Sequence, residues 1–235
     1  MPVVLGFDTA TPATAVALLL DGAQPRERRH DPQPGERPQH ASQLLPLAND
    51  LLAEAGIGWA QVQRIAVGVG PGTFTGLRIG VATARALAQA SGAELAAIST
   101  LHALAHAARD EAGERPVLAV LDARRGEAFA AAWRGEEQLH AAAAIAPEGL
   151  AALTRSAPGP WLAVGDGAVR FRERLEPDRV DVPADASALH RVSATAICEL
   201  ALKAPAADRD ALIPDYVRLP DAELTRRRRE QQQSP

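Results

Sequence analysis

Three sets of residues in this 235-residue chain have types and spacings that could do chemistry. The first is a pair of acids. Asp8 and Asp122 follow the apolar runs Val3–Phe7 and Val117–Leu121, and each opens a polar turn. Two carboxylates brought to one cleft could act as an acid–base pair. The second is a pair of histidines. His102-Ala-Leu-Ala-His106 sets two imidazoles on one helical face at zinc-like spacing. No His-Glu-x-x-His glutamate lies between them, which argues against a zincin, and no metal is expected. The third is the glycine-rich segment Gly70-Pro-Gly-Thr-Phe-Thr-Gly-Leu-Arg-Ile-Gly80. Free N–H groups where such a loop enters a helix form an anion site. The candidate phosphate or nucleotide residues are therefore Asp8, Thr9, Thr11, Gly70, Gly72, Thr73 and Asp122.

Two common phosphate loops are excluded. A Walker A loop needs Gly-Lys-Ser/Thr, and the segment holds no lysine. The dinucleotide fingerprint fits at Gly68 and Gly70 but finds threonine at position 73. Thr73 or Thr75 can cap the following helix; with Thr75 as cap, Phe74 and Ile79 fall at the two staple positions. Gly76, Gly80, Ala84 and Ala88 recur at i, i+4 spacing, a stripe of small residues that lets two backbones approach closely. The stripe packs either inside the chain or against another subunit.

The elements that must position these groups come in two similar halves. Val3–Phe7, a turn and Val16–Leu20 read as a hairpin ended by Asp21-Gly22. Gln24–Gln39 is polar and rich in Pro and Arg, an exposed connection or edge strand. Apolar residues at helical spacing from Leu44 to Ala55 stop at Gly56. Ile65–Val69 is a strand, Leu77–Ala90 a helix, Leu95–Ile98 a strand and Leu101–Ala108 a helix. At Val117 the pattern restarts: Val117–Leu121, a turn, and Ala128–Trp133 ended by Arg134-Gly135. Trp161–Val164, Gly165-Asp-Gly167 and a helical patch near Leu189–Leu202 complete a smaller second half. The expected fold is α/β, a two-lobe actin or sugar-kinase-like fold with a duplicated βββαβα unit and a reduced second lobe. The expected division is an N-terminal lobe over 1–113, a C-terminal lobe over 114–220 and an Arg-rich tail over 221–235.

Composition narrows the function. Hydrophobic residues make up 47% of the chain and the formal net charge is −4, so no basic face for RNA is advertised. Aromatics are 3%, too few for base-stacking platforms. Lys203 is the only lysine. The single cysteine, Cys198, sits in an apolar run and is expected to be a buried small hydrophobe. No apolar run is long enough to span a membrane and no signal peptide is visible, so a cytoplasmic protein is expected.

The glycine-rich segment resembles the signature of the TsaB (YeaZ) family. Phe7-Asp-Thr-Ala-Thr11, His40-Ala-Ser-Gln-Leu-Leu-Pro46, Leu121-Asp-Ala-Arg-Arg-Gly-Glu127 and Pro214-Asp-Tyr-Val-Arg218 resemble further segments of that family in the same order, although Ala41 stands where a small hydroxyl residue is usual. The resemblance implies a degenerate, non-catalytic scaffold. Such a protein pairs with TsaD, the metal-bearing subunit that transfers threonylcarbamoyl to a tRNA adenosine, and is joined by the ATPase TsaE. It implies contact with tRNA only through that complex, and self-association of the isolated chain through the same surface. Carried onto this sequence, the pairing surface comprises His40, Leu44, Leu45, Thr75, Gly76, Gly80, Ala84 and Ala88. No tightly bound cofactor is expected; ADP or ATP, if held, binds weakly within the complex. Aligned with the catalytic relatives through Ile98-Ser-Thr-Leu101, their histidines fall at Thr100 and Leu104. His102 and His106 are two residues out, about 200° around a helix, and read as surface residues. The Arg226–Arg229 run reads as a solvated helix end. The alternative is a small-molecule kinase or metallopeptidase-like enzyme of the same superfamily.

Overall fold

The structure, a computed structural model, describes residues 2–33 and 35–217. In the first half, β1 (Val4–Asp8), β2 (Thr14–Leu19) and β3 (Arg26–His30) form an antiparallel meander. Helix α1 (His40–Ala55), strand β4 (Arg64–Gly70), helix α2 (Phe74–Ser91) and strand β5 (Glu94–Ser99) follow. Strands β4 and β5 add in parallel beside β1, giving the order β3-β2-β1-β4-β5. Helices α3 (Thr100–Ala107) and α4 (Arg109–Ala112) lead to the second half. There β6 (Val117–Arg124), β7 (Glu127–Arg134) and β8 (Glu137–Ile145) form a second meander, followed by α5 (Pro147–Thr154), β9 (Trp161–Val164), α6 (Asp166–Arg170), α7 (Arg172–Leu175) and β10 (Val180–Asp181). The second sheet is ordered β10-β9-β6-β7-β8, with β9 and β10 parallel to the strands beside them. Read from its third strand, this is the same topology as the first sheet. The duplication expected from the two Asp-turn hairpins is therefore present.

Alternation along the strands decides what each sheet face meets. Leu5, Phe7, Val16, Leu18, Ile65 and Val67 join the core formed with α1 and α2. Val4, Ala15, Ala17 and Ala66 face the other way, into a core shared with α3, with α8 (Ala194–Ala201) and with one face of the second sheet. Leu118, Val120, Ala130 and Trp161 point outward to α5, α6 and α7. The layers run helix, sheet, helix, sheet, helix.

Helix α8 lies on the first sheet, although the sequence reading assigned residues 114–220 to the second lobe. Gly6 makes room for it: a Cβ there would come 2.6 Å from Cys198 Sγ. Arg64 donates to Ala201 O and Ala204 O, closing the C-terminal end of the helix. Ala207 N donates to Leu95 O, and Asp215 N to Val69 O. The second lobe is thus shorter at its C-terminal side than the sequence suggested. Cys198 is buried, as expected, and burial raises its thiol pKa. Arg218, the tail 221–235 and the Arg226–Arg229 run lie outside the described residues.

Candidate functional site

The glycine-rich loop and the first hairpin turn are built into each other. Helix α2 starts at Phe74 with Thr73 at the cap position, the first of the two caps considered from sequence and two residues before Thr75. Thr73 N donates to Ala10 O at 2.7 Å, and Thr9 Oγ1 donates to Gly76 O at 2.8 Å. A Cβ at Gly72 would meet Ala10 O at 2.4 Å, one at Gly76 would meet Thr9 O at 1.9 Å, and one at Gly80 would meet Thr9 Oγ1 at 2.4 Å. The glycines serve close approach of the helix to the hairpin turn. Where a phosphate would need free N–H groups, the Thr9–Ala10 backbone already stands. Thr73 N, one of the N–H groups a phosphate would use, is taken by Ala10 O. Gly70, at φ +120°, turns the chain beneath the C-terminal segment and faces Asp215 O.

Asp8 is 1% exposed. Its carboxylate accepts from Ala10 N at 2.7 Å and from Thr100 Oγ1 at 2.8 Å. Gly68 leaves the space it fills, since a Cβ there would fall 1.8 Å from Asp8 Oδ2. Burial raises the carboxyl pKa above its ordinary range; the two hydrogen bonds and the Arg29 charge act against that in smaller part. The folded chain thus holds this proton to higher pH than the unfolded chain. Its contribution to stability is greatest below the unfolded value of about 3.9 and is lost as pH rises through the folded value. Asp8→Asn lacks this dependence. The stability of Asp8→Asn relative to the parent is expected to grow between about pH 4 and pH 7, read by urea unfolding at each pH. An opposite trend would mean that the charged form is the one the fold favours.

Asp122 is engaged differently. Its carboxylate accepts from Arg170 Nη1 at 2.6 Å and from Arg124 N at 2.8 Å, with the Arg124 guanidinium at 3.4 Å. Asp122 N donates to Asp166 Oδ1. The two hairpin acids thus sit in different surroundings, Asp8 buried and Asp122 held by arginine. Thr11 lines a small cavity between the halves, with Arg29, Asp31, Asp166, His190 and Arg191, of about 210 Å³. That is below the volume usual for a nucleotide-sized ligand.

The proposed pairing residues divide by exposure. His40 is buried and shares a 2.9 Å hydrogen bond with Thr14. Leu44, Gly76, Gly80, Ala84 and Ala88 are also buried, in contact with the first sheet or with Thr9. The small-residue stripe is turned inward, because the sheet and hairpin occupy the space that small residues leave. Leu45, at 42%, and Thr75 are exposed.

Beside Thr75 lies a cluster that sequence reasoning missed. Phe74 is 39% exposed and, with Thr73 at the cap, is the first helical residue and not the staple position before the cap. Its ring centroid lies 5.3 Å from that of Tyr216, and the Arg78 guanidinium sits 3.7 Å from the Phe74 centroid. Arg78 Nε donates to the Tyr216 hydroxyl at 3.0 Å. The two segments that join here were both visible as motifs, but their contact spans 138 residues.

The histidines are not free surface groups. His102 lies flat on Trp133, with centroids 4.9 Å apart and planes 5° apart. His106 Nε2 is 3.0 Å from Glu199 Oε2. Thr100 and Leu104, where the sequence reading expects the catalytic relatives' histidines, are buried; Thr100 is bonded to Asp8 and Leu104 is in the core. A hydroxyl and a leucine do not fit a metal, and no group of three His, Cys, Asp or Glu among the described residues could hold one.

Two sheets of identical topology, each beginning with an Asp-turn hairpin, define a protein of the actin and sugar-kinase plan. The ROK hexokinase of Thermus thermophilus shares this fold, with a TM-score of 0.51 over 86% of the chain and 99% of that structure, at 14% identity. The family model TsaD: tRNA N6-adenosine threonylcarbamoyltransferase matches residues 34–170, more than half of the chain. The tRNA threonylcarbamoyladenosine biosynthesis protein TsaB of Escherichia coli (strain K12) is 34% identical over 172 residues, 70% of this chain and 71% of that one. A Pseudomonas aeruginosa structure with similarity to peptidase YEAZ superposes with a TM-score of 0.78 at 31% identity, covering 93% of this chain and all of that one. The chain belongs to the TsaB (YeaZ) family.

Proposed function

We propose that this chain is the non-catalytic scaffold subunit of bacterial tRNA threonylcarbamoyladenosine synthesis. In this reading it pairs with and activates a TsaD-like catalytic subunit, is joined by a TsaE-like ATPase, and meets tRNA only through that assembly. Family membership supports the biosynthetic role. The observation that carries the non-catalytic part is the state of the two hairpin acids. Asp8 is buried and bonded to Ala10 N and Thr100 Oγ1, and Asp122 is held by Arg170 and Arg124, so neither is presented to a substrate. Among the described residues no helix is long and apolar enough to cross a membrane, and the work is assigned to the cytoplasm, where tRNA is modified. The pairing surface is assigned to the exposed group Leu45, Phe74, Thr75 and Arg78; the isolated chain would dimerise through the same face. No observation favours the alternative of a small-molecule kinase or metallopeptidase.

The test is reconstitution of threonylcarbamoyl transfer to tRNA from its adenylate donor with the cognate TsaD and TsaE, with and without this chain. Omission is expected to abolish turnover. Asp8→Asn and Asp122→Asn are expected to retain it within about threefold. A drop of about a hundredfold in either variant, with the complex intact, would mean that this chain supplies chemistry.

A further inference from the structure

An open cavity of about 660 Å³ lies between the end of β5, α3, the C-terminal end of α8 and the β7–β8 turn. It is separate from both hairpin turns and from the Phe74 surface. Ile98, Leu200 and Ala204 give it an apolar wall. Its charged lining is balanced: Arg109 and Lys203 against Glu136 and Glu199. His102 and His106 also line it, and burial lowers both their pKa values, so both are neutral at pH 7.

The pairing of these charges leaves half of each inner group open. Glu199 Oε2 takes both contacts, from His106 Nε2 at 3.0 Å and Arg109 Nη1 at 2.9 Å. Glu199 Oε1 has no partner among the described residues. Arg109 Nη1 also donates to His106 O, and Arg109 Nε is 3.7 Å from the exposed Asp110, which leaves Nη2 without a hydrogen-bond partner among the described residues. The outer pair, Lys203 and Glu136, is 75% and 85% exposed, so it exchanges readily for another partner. The flat face of the neutral His102 ring is fixed by Trp133, and neither of its ring nitrogens has a hydrogen-bond partner among the described residues.

A ligand carrying only a negative charge would meet two carboxylates here, and one carrying only a positive charge would meet two bases. A ligand with both charges close together meets neither penalty. We propose that this cavity binds a free α-amino acid. Its ammonium goes to Glu199 Oε1, and its carboxylate goes to Arg109 Nη2 and Lys203. Its side chain lies on Ile98, Leu200 and Ala204. His102 offers a neutral donor or acceptor to a polar side-chain atom. This site does not depend on the pairing role.

The test is calorimetric titration of the purified full chain with a panel of free L-amino acids, followed by the amide and the N-acetyl derivative of the tightest binder. At least one free amino acid is expected to bind, and each capped form to bind about tenfold more weakly or worse. Glu199→Gln and Arg109→Gln are each expected to lose a similar factor while unfolding at the parental temperature. Three results would overturn the proposal: no free amino acid binds at millimolar concentration, either capped form binds as tightly as the free one, or both variants bind like the parent. The capped-ligand comparison uses the parent protein, so it stands even if a variant folds poorly.

Discussion

Gly76→Leu is expected to leave little folded protein. In an ordinary helix interior, replacing glycine with a better helix former gains about 1 kcal/mol. Here the first added carbon would lie 1.9 Å from Thr9 O, a backbone atom that cannot swing away. Overpacking of this kind costs about 1–3 kcal/mol even where neighbours can relax. A leucine must also push α2 off the hairpin turn, breaking the bond from Thr9 Oγ1 to Gly76 O and the one from Thr73 N to Ala10 O. The clash therefore outweighs propensity, and the loss is expected to exceed about 4 kcal/mol, a large share of a domain's stability. Even Gly76→Ala should destabilise the chain, reversing the usual sign. Urea unfolding followed by circular dichroism measures both. A stable Gly76→Leu variant would mean that α2 does not rest on the hairpin as described. The same reasoning applies to Gly80 and Ala84: enlarging them tests the core and not the pairing surface.

The second large effect concerns that surface. Phe74→Ala is expected to weaken pairing with a TsaD-like subunit by about 2–4 kcal/mol, roughly thirtyfold to a thousandfold in Kd. The ring is already ordered by Tyr216 and by the Arg78 guanidinium, so little side-chain freedom is left to lose on association. Aromatic and arginine side chains held in this way are the usual anchors of interfaces. Because the ring is 39% exposed, the variant should fold, with stability lowered by only about 1 kcal/mol. Size-exclusion chromatography and calorimetry with the partner separate the two effects. Undiminished pairing would move the interface off this face.

Legibility from sequence followed the range of the interactions. The hairpins at Asp8 and Asp122 were readable because each is a local pattern of apolar run, acid, turn and apolar run. Edge strand β3 was readable as an alternative because its charges suit an open sheet edge. Strand β8 was not: its Ala141–Ala144 run carries helix propensity, overridden by pairing with β7. The glycines of the 70–80 segment were legible as a demand for close approach, but not what approaches. Thr9 lies 67 residues away from Gly76 and leaves no mark in the local pattern. The same holds for the small-residue stripe, which satisfies a subunit interface and a sheet face equally well until the sheet is placed. His102 and His106 were legible as a pair on one face, whereas Trp133 and Glu199, which define their surroundings, come from other elements.

The placement of α8 on the first sheet has a consequence for biosynthesis. A ribosome delivers β1 through β5 well before it delivers α8, with the whole second sheet made in between. During that interval the face of Val4, Ala15, Ala17 and Ala66 lacks the helix that covers it, and Gly6 awaits Cys198. The first lobe can only finish folding after α8 has emerged. Any pause or truncation in the second half would leave an apolar sheet face open to chaperones and proteases, so α8 reports on the completeness of everything translated before it.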